Sequence, residues 1–239
     1  MVDLELEDGL AVITINRPAV RNAIAPATMG ELDEALDAAA DARALVIKGA
    51  GERVFVSGGD LKELSAIRTE DDAVAMALRM RRICDRLAAF PGPVIAALNG
   101  HALGGGAELA VSADIRVAAD DIKIGFNQVS LAIMPAWGGA ERLAALVGKG
   151  RALLLAGTGT VLDAVEAQRV GLVDRVLPRA GFEAGWRALA RSLATEAGRE
   201  IKHVMAGALP AEEAARAFAR LWVADEHWLA AEKVMTRGK

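Results

Sequence analysis

Apolar and polar residues alternate over Leu4-Glu5-Leu6, and apolar residues dominate Ala11 to Ile15. The Asp8-Gly9 pair between them predicts two strands joined by a tight turn, the second ended by Asn16-Arg17-Pro18. From Thr28 to Ala40, Met29, Leu32 and Leu36 recur at helical spacing, with Thr28 as the expected N-cap. Ala44 to Ile47 reads as a fully apolar strand, turned out by Gly49-Ala50-Gly51, and Val54-Phe55-Val56 as a short second one. Ser57-Gly58-Gly59-Asp60 then opens a helix carrying Lys62 and Glu63. A longer helix is expected over Ala73 to Ala89, with Met76, Met80, Ile83 and Leu87 on its apolar face. Pro93 to Leu98 predicts a buried strand, leading through Asn99-Gly100-His101 and Gly104-Gly105-Gly106 into a helix from near Ala107. Asp114 to Ala118 and Lys123 to Phe126 predict two more strands. From Gly138 onward helix is expected, apart from a strand at Leu172 to Leu177. The final helix, about Ala211 to Met235, would place Phe218, Leu221, Trp222, Trp228 and Leu229 largely on one side.

Strand, Gly-rich turn and helix thus recur loosely, without a period strict enough for a solenoid. The class is α/β with an all-helical tail from about Phe182. Strands arriving in short pairs between helices fit a plain doubly wound sheet less well. With 53% hydrophobic residues the chain can bury a sizeable core, and aromatics at only 4% leave Ala and Val to fill much of it. A net charge of −4 argues against nucleic acid as a partner. The uncharged run Leu87 to Ala107 approaches a membrane's width, but Pro91, Pro93, Asn99 and its glycines would break a spanning helix. The acidic, alternating start Met1-Val2-Asp3-Leu4-Glu5 is not expected to be a leader peptide. A single cysteine, Cys84, excludes an internal disulfide framework and fits a reducing, cytoplasmic setting.

The phosphate-loop, dinucleotide and serine-elbow glycine motifs are missing. His101, His203 and His227 are widely separated, so no metal site is expected. Two Gly-rich turns remain, Val56-Ser57-Gly58-Gly59-Asp60-Leu61 and Leu103-Gly104-Gly105-Gly106-Ala107-Glu108, each between an apolar strand and a helix. Taken alone, either could be a tight turn that lets helix pack on strand. Facing each other, they would offer two backbone N–H donors to one oxygen, with Glu108 in reach.

These residues also resemble a family. Asn16-Arg17-Pro18 with Arg21-Asn22-Ala23, Phe55 to Glu63, Asn99 to Leu109, Pro135 to Leu143 and Gly171-Leu172-Val173-Asp174 are similar, in order, to the motifs of the crotonase, or enoyl-CoA hydratase/isomerase, superfamily. The resemblance implies a spiral of β-β-α turns over residues 1–181, and a helical C-terminal region over 182–239 that supports a homotrimer or a hexamer made of two trimers. It implies an acyl-CoA substrate, with no cofactor beyond the substrate's coenzyme A moiety and no membrane partner. The oxyanion amides fall on Gly59 and Gly105, and the acid/base on Glu108. Coenzyme A contacts fall on Gly59, Asp60, Leu61 and Lys62, with Arg21 as a further candidate.

One position departs from the family pattern. Where hydratases carry a second glutamate, this chain has Gln128, which hydrogen-bonds but does not exchange a proton near pH 7. Asp114, Asp120 and Asp121 are read as turn or surface carboxylates and Glu141 as a local ion-pair partner. Pro135-Ala136-Trp137-Gly138-Gly139 is similar to a segment of the alkylmalonyl-CoA decarboxylase branch. Pro135 and Trp137 are therefore candidates for the acyl pocket, though Trp137 could equally pack beneath its loop. The activity expected is enolate stabilisation on an acyl-CoA thioester with one glutamate. The alternatives are decarboxylation of methylmalonyl- or ethylmalonyl-CoA, and coenzyme A ester binding without turnover.

Overall fold

Asp8 and Gly9 are the only residues between β1 (Val2–Glu7) and β2 (Leu10–Ile15), which pair antiparallel with Glu7 opposite Leu10. Their φ angles of +51° and +81° give the left-handed pair of a type I′ turn, whose twist matches that of the flanking strands. The computed structural model describes residues 1–207 and 209–237. The remaining strands are β3 (Ala44–Gly49), β4 (Val54–Val56), β5 (Val94–Leu98), β6 (His101–Leu103), β7 (Ile115–Ala119), β8 (Lys123–Gly125), β9 (Val161–Asp163) and β10 (Arg175–Leu177).

They form two sheets, in the orders β1-β2-β3-β5-β7-β10 and β4-β6-β8-β9. Consecutive strands split between the sheets: β3, β5 and β7 run parallel in the larger, while β4, β6 and β8 run parallel in the smaller. Each turn of the chain is therefore strand, strand, helix, and the turns stack as a spiral. Strands covered on both faces lose the polar alternation, which explains why all of β5 is buried. Asn99 ties successive corners together, accepting from Gly49 N (2.9 Å) and donating to Gly51 O (2.6 Å).

Helix α1 (Pro26–Ala38) follows β2, α2 (Leu61–Leu64) and α3 (Glu70–Ala88) follow β4, and α4 (Gly105–Ala110) follows β6. After β8 come α5 (Gly139–Val147), α6 (Lys149–Thr158) and, beyond β9, α7 (Ala164–Arg169). The tail is α8 (Phe182–Leu193), α9 (Glu196–Ala206), α10 (Ala211–Trp222) and α11 (Asp225–Arg237).

Several boundaries differ from the sequence expectation. Helix α1 starts on Pro26, whose fixed φ suits the first helical position, so Thr28 lies buried inside the first turn and caps nothing. Helix α3 begins earlier because Thr69 caps it, its Oγ1 accepting from Asp72 N. The strand over Leu172 to Leu177 shrinks to β10, since left-handed Gly171 sends the Leu172 and Val173 N–H groups back to Ala167 O. The single final helix is two. Helix α10 ends with Val223 N–H on Ala219 O, and α11 turns back so that the rings of Phe218, Trp222, His227 and Trp228 gather at centroid spacings of 4.5 to 5.7 Å.

The Gly171-Leu172-Val173-Asp174 segment fastens β10 to β7. Arg116, 2% exposed, donates to Leu172 O and Ala113 O and pairs with Asp174, which also accepts from Arg116 N. Removing Asp174 strands a buried guanidinium. Asp174→Ala is expected to lower the unfolding free energy by about 2–3 kcal/mol, seen in urea as a lower midpoint at unchanged slope.

Candidate active site

Strand β4 runs out into Ser57-Gly58-Gly59, where Gly58 adopts φ +105°, a conformation open to glycine and strained for other residues. Ile24 N donates to Gly58 O and Asp60 N to Ile24 O, both at 2.8 Å, so a short parallel bridge brackets Gly59. In that pattern the middle residue's own N–H points away from its partner. The Gly59 N–H accordingly meets no acceptor among the described residues.

The segment making this bridge is braced from below. Asn22 Oδ1 accepts from Arg17 N, and its Nδ2 donates to Ala50 O and Val54 O. Arg17 in turn pairs with Asp60 (3.1 Å) and Glu63 (3.0 Å). The Asn-Arg-Pro and Arg-Asn-Ala motifs thus hold the Gly59 turn in place, a role that sequence reading left unassigned. Asp60 caps α2 by accepting from Glu63 N, so its carboxylate is already committed.

The second turn lies against the first. Gly104 N donates to Gly125 O, and α4 starts at Gly105, two residues before the place the sequence suggested. The Gly105 N–H also meets no acceptor among the described residues. A Cβ on Gly58 would sit 3.3 Å from Gly105 N, and one on Gly106 only 1.9 Å from Val56 O. A Cβ on Gly105 would fall 2.2 Å from the Trp137 ring. Glycine at these positions is what allows turn, turn and indole to touch.

Glu108, in the first turn of α4, is 2% exposed and accepts four hydrogen bonds. Gln128 Nε2 (2.9 Å) and Ala136 N (3.3 Å) reach Oε1, while Trp137 N (2.7 Å) and Gly139 N (3.0 Å) reach Oε2. Burial lifts its pKa above the ordinary glutamate value, and these donors, which favour the ionised form, offset only part of that lift. Gln128 sits in a 3-10 turn, Asn127–Leu131, after β8, and is 7% exposed. Its amide carbon would be 3.9 Å from a Cβ on Gly104. Because the carboxylate must receive the NH2 end, the other end, Oε1, is turned away from Glu108; it is buried with no partner among the described residues.

Trp137 contributes through both backbone and ring, and Pro135, two residues earlier, is buried. Leu61 and Lys62 are exposed on α2 just beyond Gly59. Arg21 stands three residues before Ile24, whose bridge holds the Gly59 turn. It lines two grooves, of about 350 and 580 Å³, with Glu52, Arg53 and Val54 where β4 begins, whereas Gly59 follows where β4 ends.

Other polar residues have local duties. His101 Nδ1 accepts from Lys123 N. Asp114 accepts from Val94 N and pairs with Lys202, Asp120 accepts from Arg179 N, Asp121 pairs with Arg179, and Glu141 with Arg81. Burial pushes the Cys84 thiol up to about 12, so it is no nucleophile at neutral pH. No cluster of three His, Cys, Asp or Glu able to hold a metal occurs among the described residues. No helix among them is long and apolar enough to cross a membrane.

A sequence model of the enoyl-CoA hydratase/isomerase family matches residues 5–221. The short-chain-enoyl-CoA hydratase of Clostridium acetobutylicum is 40% identical over 179 residues, covering 74% of this chain and 68% of that protein. The crotonyl-CoA hydratase of Syntrophomonas wolfei is 43% identical over 180 residues, covering 73% and 68%. The crystal structure of an enoyl-CoA hydratase from Bacillus anthracis superposes with a TM-score of 0.85 at 30% identity, covering 100% of this chain and 96% of that one.

Proposed function

The chain belongs to the enoyl-CoA hydratase/isomerase family, and from that premise we propose that it forms the enolate of an acyl-CoA thioester between the amides of Gly59 and Gly105, with Glu108 carrying the proton. One observation supports this reading above the others. Two N–H groups with no acceptor among the described residues lie on adjoining turns, and a buried carboxylate stands one helical turn further on. Attack on an enoyl thioester drives negative charge onto the thioester oxygen. A fixed donor at that oxygen is worth about 10²–10³ in rate.

In hydration of a 2-enoyl-CoA, the water oxygen bonds to the β-carbon and the π electrons move to the thioester oxygen. Glu108 takes the proton that the water loses. It then delivers that proton to the α-carbon as the carbonyl re-forms. To accept it, Glu108 must release one of its four donors; the bond from Ala136, at 3.3 Å, is the longest.

Gln128 in place of a second carboxylate favours one further reading. Loss of CO2 from a 2-alkyl-malonyl-CoA leaves the same enolate without any base, so one acid suffices. Parallel assays separate the two. Crotonyl-CoA is expected to be hydrated, with loss of its conjugated absorbance, while methylmalonyl- and ethylmalonyl-CoA release no CO2. The opposite pattern would make the chain a decarboxylase, and binding without turnover of any of them would make it an inactive ester-binding protein.

The coenzyme A portion would run over Leu61 and Lys62, with Asp60 contributing through its backbone because its carboxylate is engaged. Assembly as a trimer or hexamer would cover Phe218, Trp222, Trp228 and Leu229, which are each 46% exposed or more. No cofactor beyond the substrate's own coenzyme A is invoked, and the setting is cytoplasmic.

A further inference from the structure

We propose that Arg142 is a positioning residue for the active-site carboxylate. With Asp85 of α3 it holds the peptide between Trp137 and Gly138, so that the N–H groups on either side, those of Trp137 and Gly139, stay aimed at Glu108. The basis is a division of labour within one short loop. Trp137 N and Gly139 N donate to Glu108 Oε2 at 2.7 and 3.0 Å, whereas the Trp137 carbonyl accepts from Arg142 Nη1 at 3.2 Å. Arg142 also donates from its backbone N to Gly138 O at 3.2 Å. Its Nη2 pairs with Asp85, and its side chain is only 20% exposed. Gly138 has φ +85°, and a Cβ there would fall 2.3 Å from Arg142 Nη1, so the guanidinium lies directly on the glycine. A peptide next to glycine turns readily when nothing holds it. A turn of this one would draw Trp137 N and Gly139 N off the carboxylate.

The rival account is that Arg142 acts only as a nearby charge, and the two differ in sign at Asp85. Were charge the whole effect, removing an anion would favour the ionised form of Glu108. If Asp85 instead anchors the guanidinium, removing it loosens the loop, weakens two donors and disfavours the ionised form. Other ionisable groups do not blur this comparison. Helix α4 packs against β4, β6 and α5. Strand β4 carries no ionisable side chain, the His101 ring of β6 is engaged by Lys123 N, and Glu141 of α5 pairs with Arg81 at 2.7 Å. On α3, Cys84 feels Glu108, Arg142 and Asp85 together, and its thiol stays neutral. The Arg81–Glu141 pair also joins α3 to α5 when Asp85 is replaced.

Carbon-13 NMR of protein labelled at the glutamate carboxyl, with Glu108→Gln identifying the resonance, reads the Glu108 titration without any substrate. Arg142→Met, which keeps the length and removes the guanidinium, is expected to move the midpoint up by about one pH unit. Asp85→Ala, at a helix position whose side chain is 53% exposed and where no folding defect is expected, should move it up by about half as much. Glu141→Gln, which breaks only the neighbouring pair, should leave it unmoved. The consequence for turnover rests on the enolate reading above. The acid limb of kcat/KM for crotonyl-CoA should shift in the same order, lowering the Arg142→Met rate about tenfold below the limb and about threefold or less on the plateau. A downward shift in Asp85→Ala would overturn the proposal, leaving Arg142 as a charge alone. So would no shift in either variant, or an equal shift in Glu141→Gln. Shifts as expected in a protein that turns over no acyl-CoA would support the positioning role and remove the enolate reading.

Discussion

Replacing Glu108 with alanine is expected to lower acyl-CoA turnover by about 10²–10⁴-fold, the range for losing a positioned proton carrier. The pH dependence sharpens this expectation. Burial raises the Glu108 pKa in the folded protein. The acid limb of kcat/KM for crotonyl-CoA should therefore lie above the ordinary glutamate range, with activity rising as the carboxyl ionises. The alanine variant should lose that limb along with the rate. Stability follows the same shift with a definite sign. Below the unfolded-state value the carboxyl is neutral in both states. As pH rises from there toward the raised folded value, the unfolded chain gives up its proton first, so stability falls across that window. Glu108→Ala removes this slope but leaves the N–H groups of Ala136, Trp137 and Gly139 without their acceptor. Glu108→Gln retains acceptor capacity and separates a folding defect from a chemical one. Turnover within about tenfold of wild type in both variants would remove Glu108 from the chemistry.

Those four donors also mark the boundary of what the sequence could tell. Glu108 was legible as a candidate because a carboxylate stands just after a glycine run. Its partners come from residues 128 and 136–139, and nothing in local spacing joins them to it. The same holds at Gly59. A pair of glycines before a helix announces a turn, but the Ile24 bridge that aims its N–H outward is a contact across 35 positions. The family motifs pointed to Arg17, Asn22 and Gly106 without stating their physics. Arg17 and Asn22 brace the bridge, and Gly106 admits the Val56 carbonyl to a place where a methyl group would be.

Secondary structure was legible where an alternation, a helical spacing or an unbroken apolar run was long enough to stand out. The first hairpin, the uniformly apolar run of β5 and the four-residue apolar face of α3 each stand out, and each is found. Strands β6 and β9 have three residues apiece, too few for alternation to be distinguished from chance, and they exist because neighbouring strands supply their hydrogen bonds. The break between α10 and α11 has no glycine or proline to signal it. Four aromatic rings of residues 218–228 gather across that break.

Gln128→Glu is expected to raise crotonyl-CoA hydration by about 10²-fold, the lower end of what a general acid supplies. Gln128 Nε2 is 2.9 Å from Glu108 Oε1, so the introduced carboxyl would face Glu108 across hydrogen-bonding range. Two carboxylates that close cannot both ionise readily, and the pair keeps one proton to higher pH. Near neutrality one member is then a base and the other an acid, with water between them. The base takes a proton from the water as the C–O bond forms, while the acid protonates the α-carbon, so Glu108 no longer has to do both in turn. The kcat/KM profile should become bell-shaped, its two limbs belonging to the pair rather than to either residue. Stability should fall as pH rises, because the second ionisation is opposed in the fold and unopposed in the unfolded chain. A rate, profile and stability all unchanged, with the fold intact, would mean that residue 128 does not face the substrate and that Glu108 works alone.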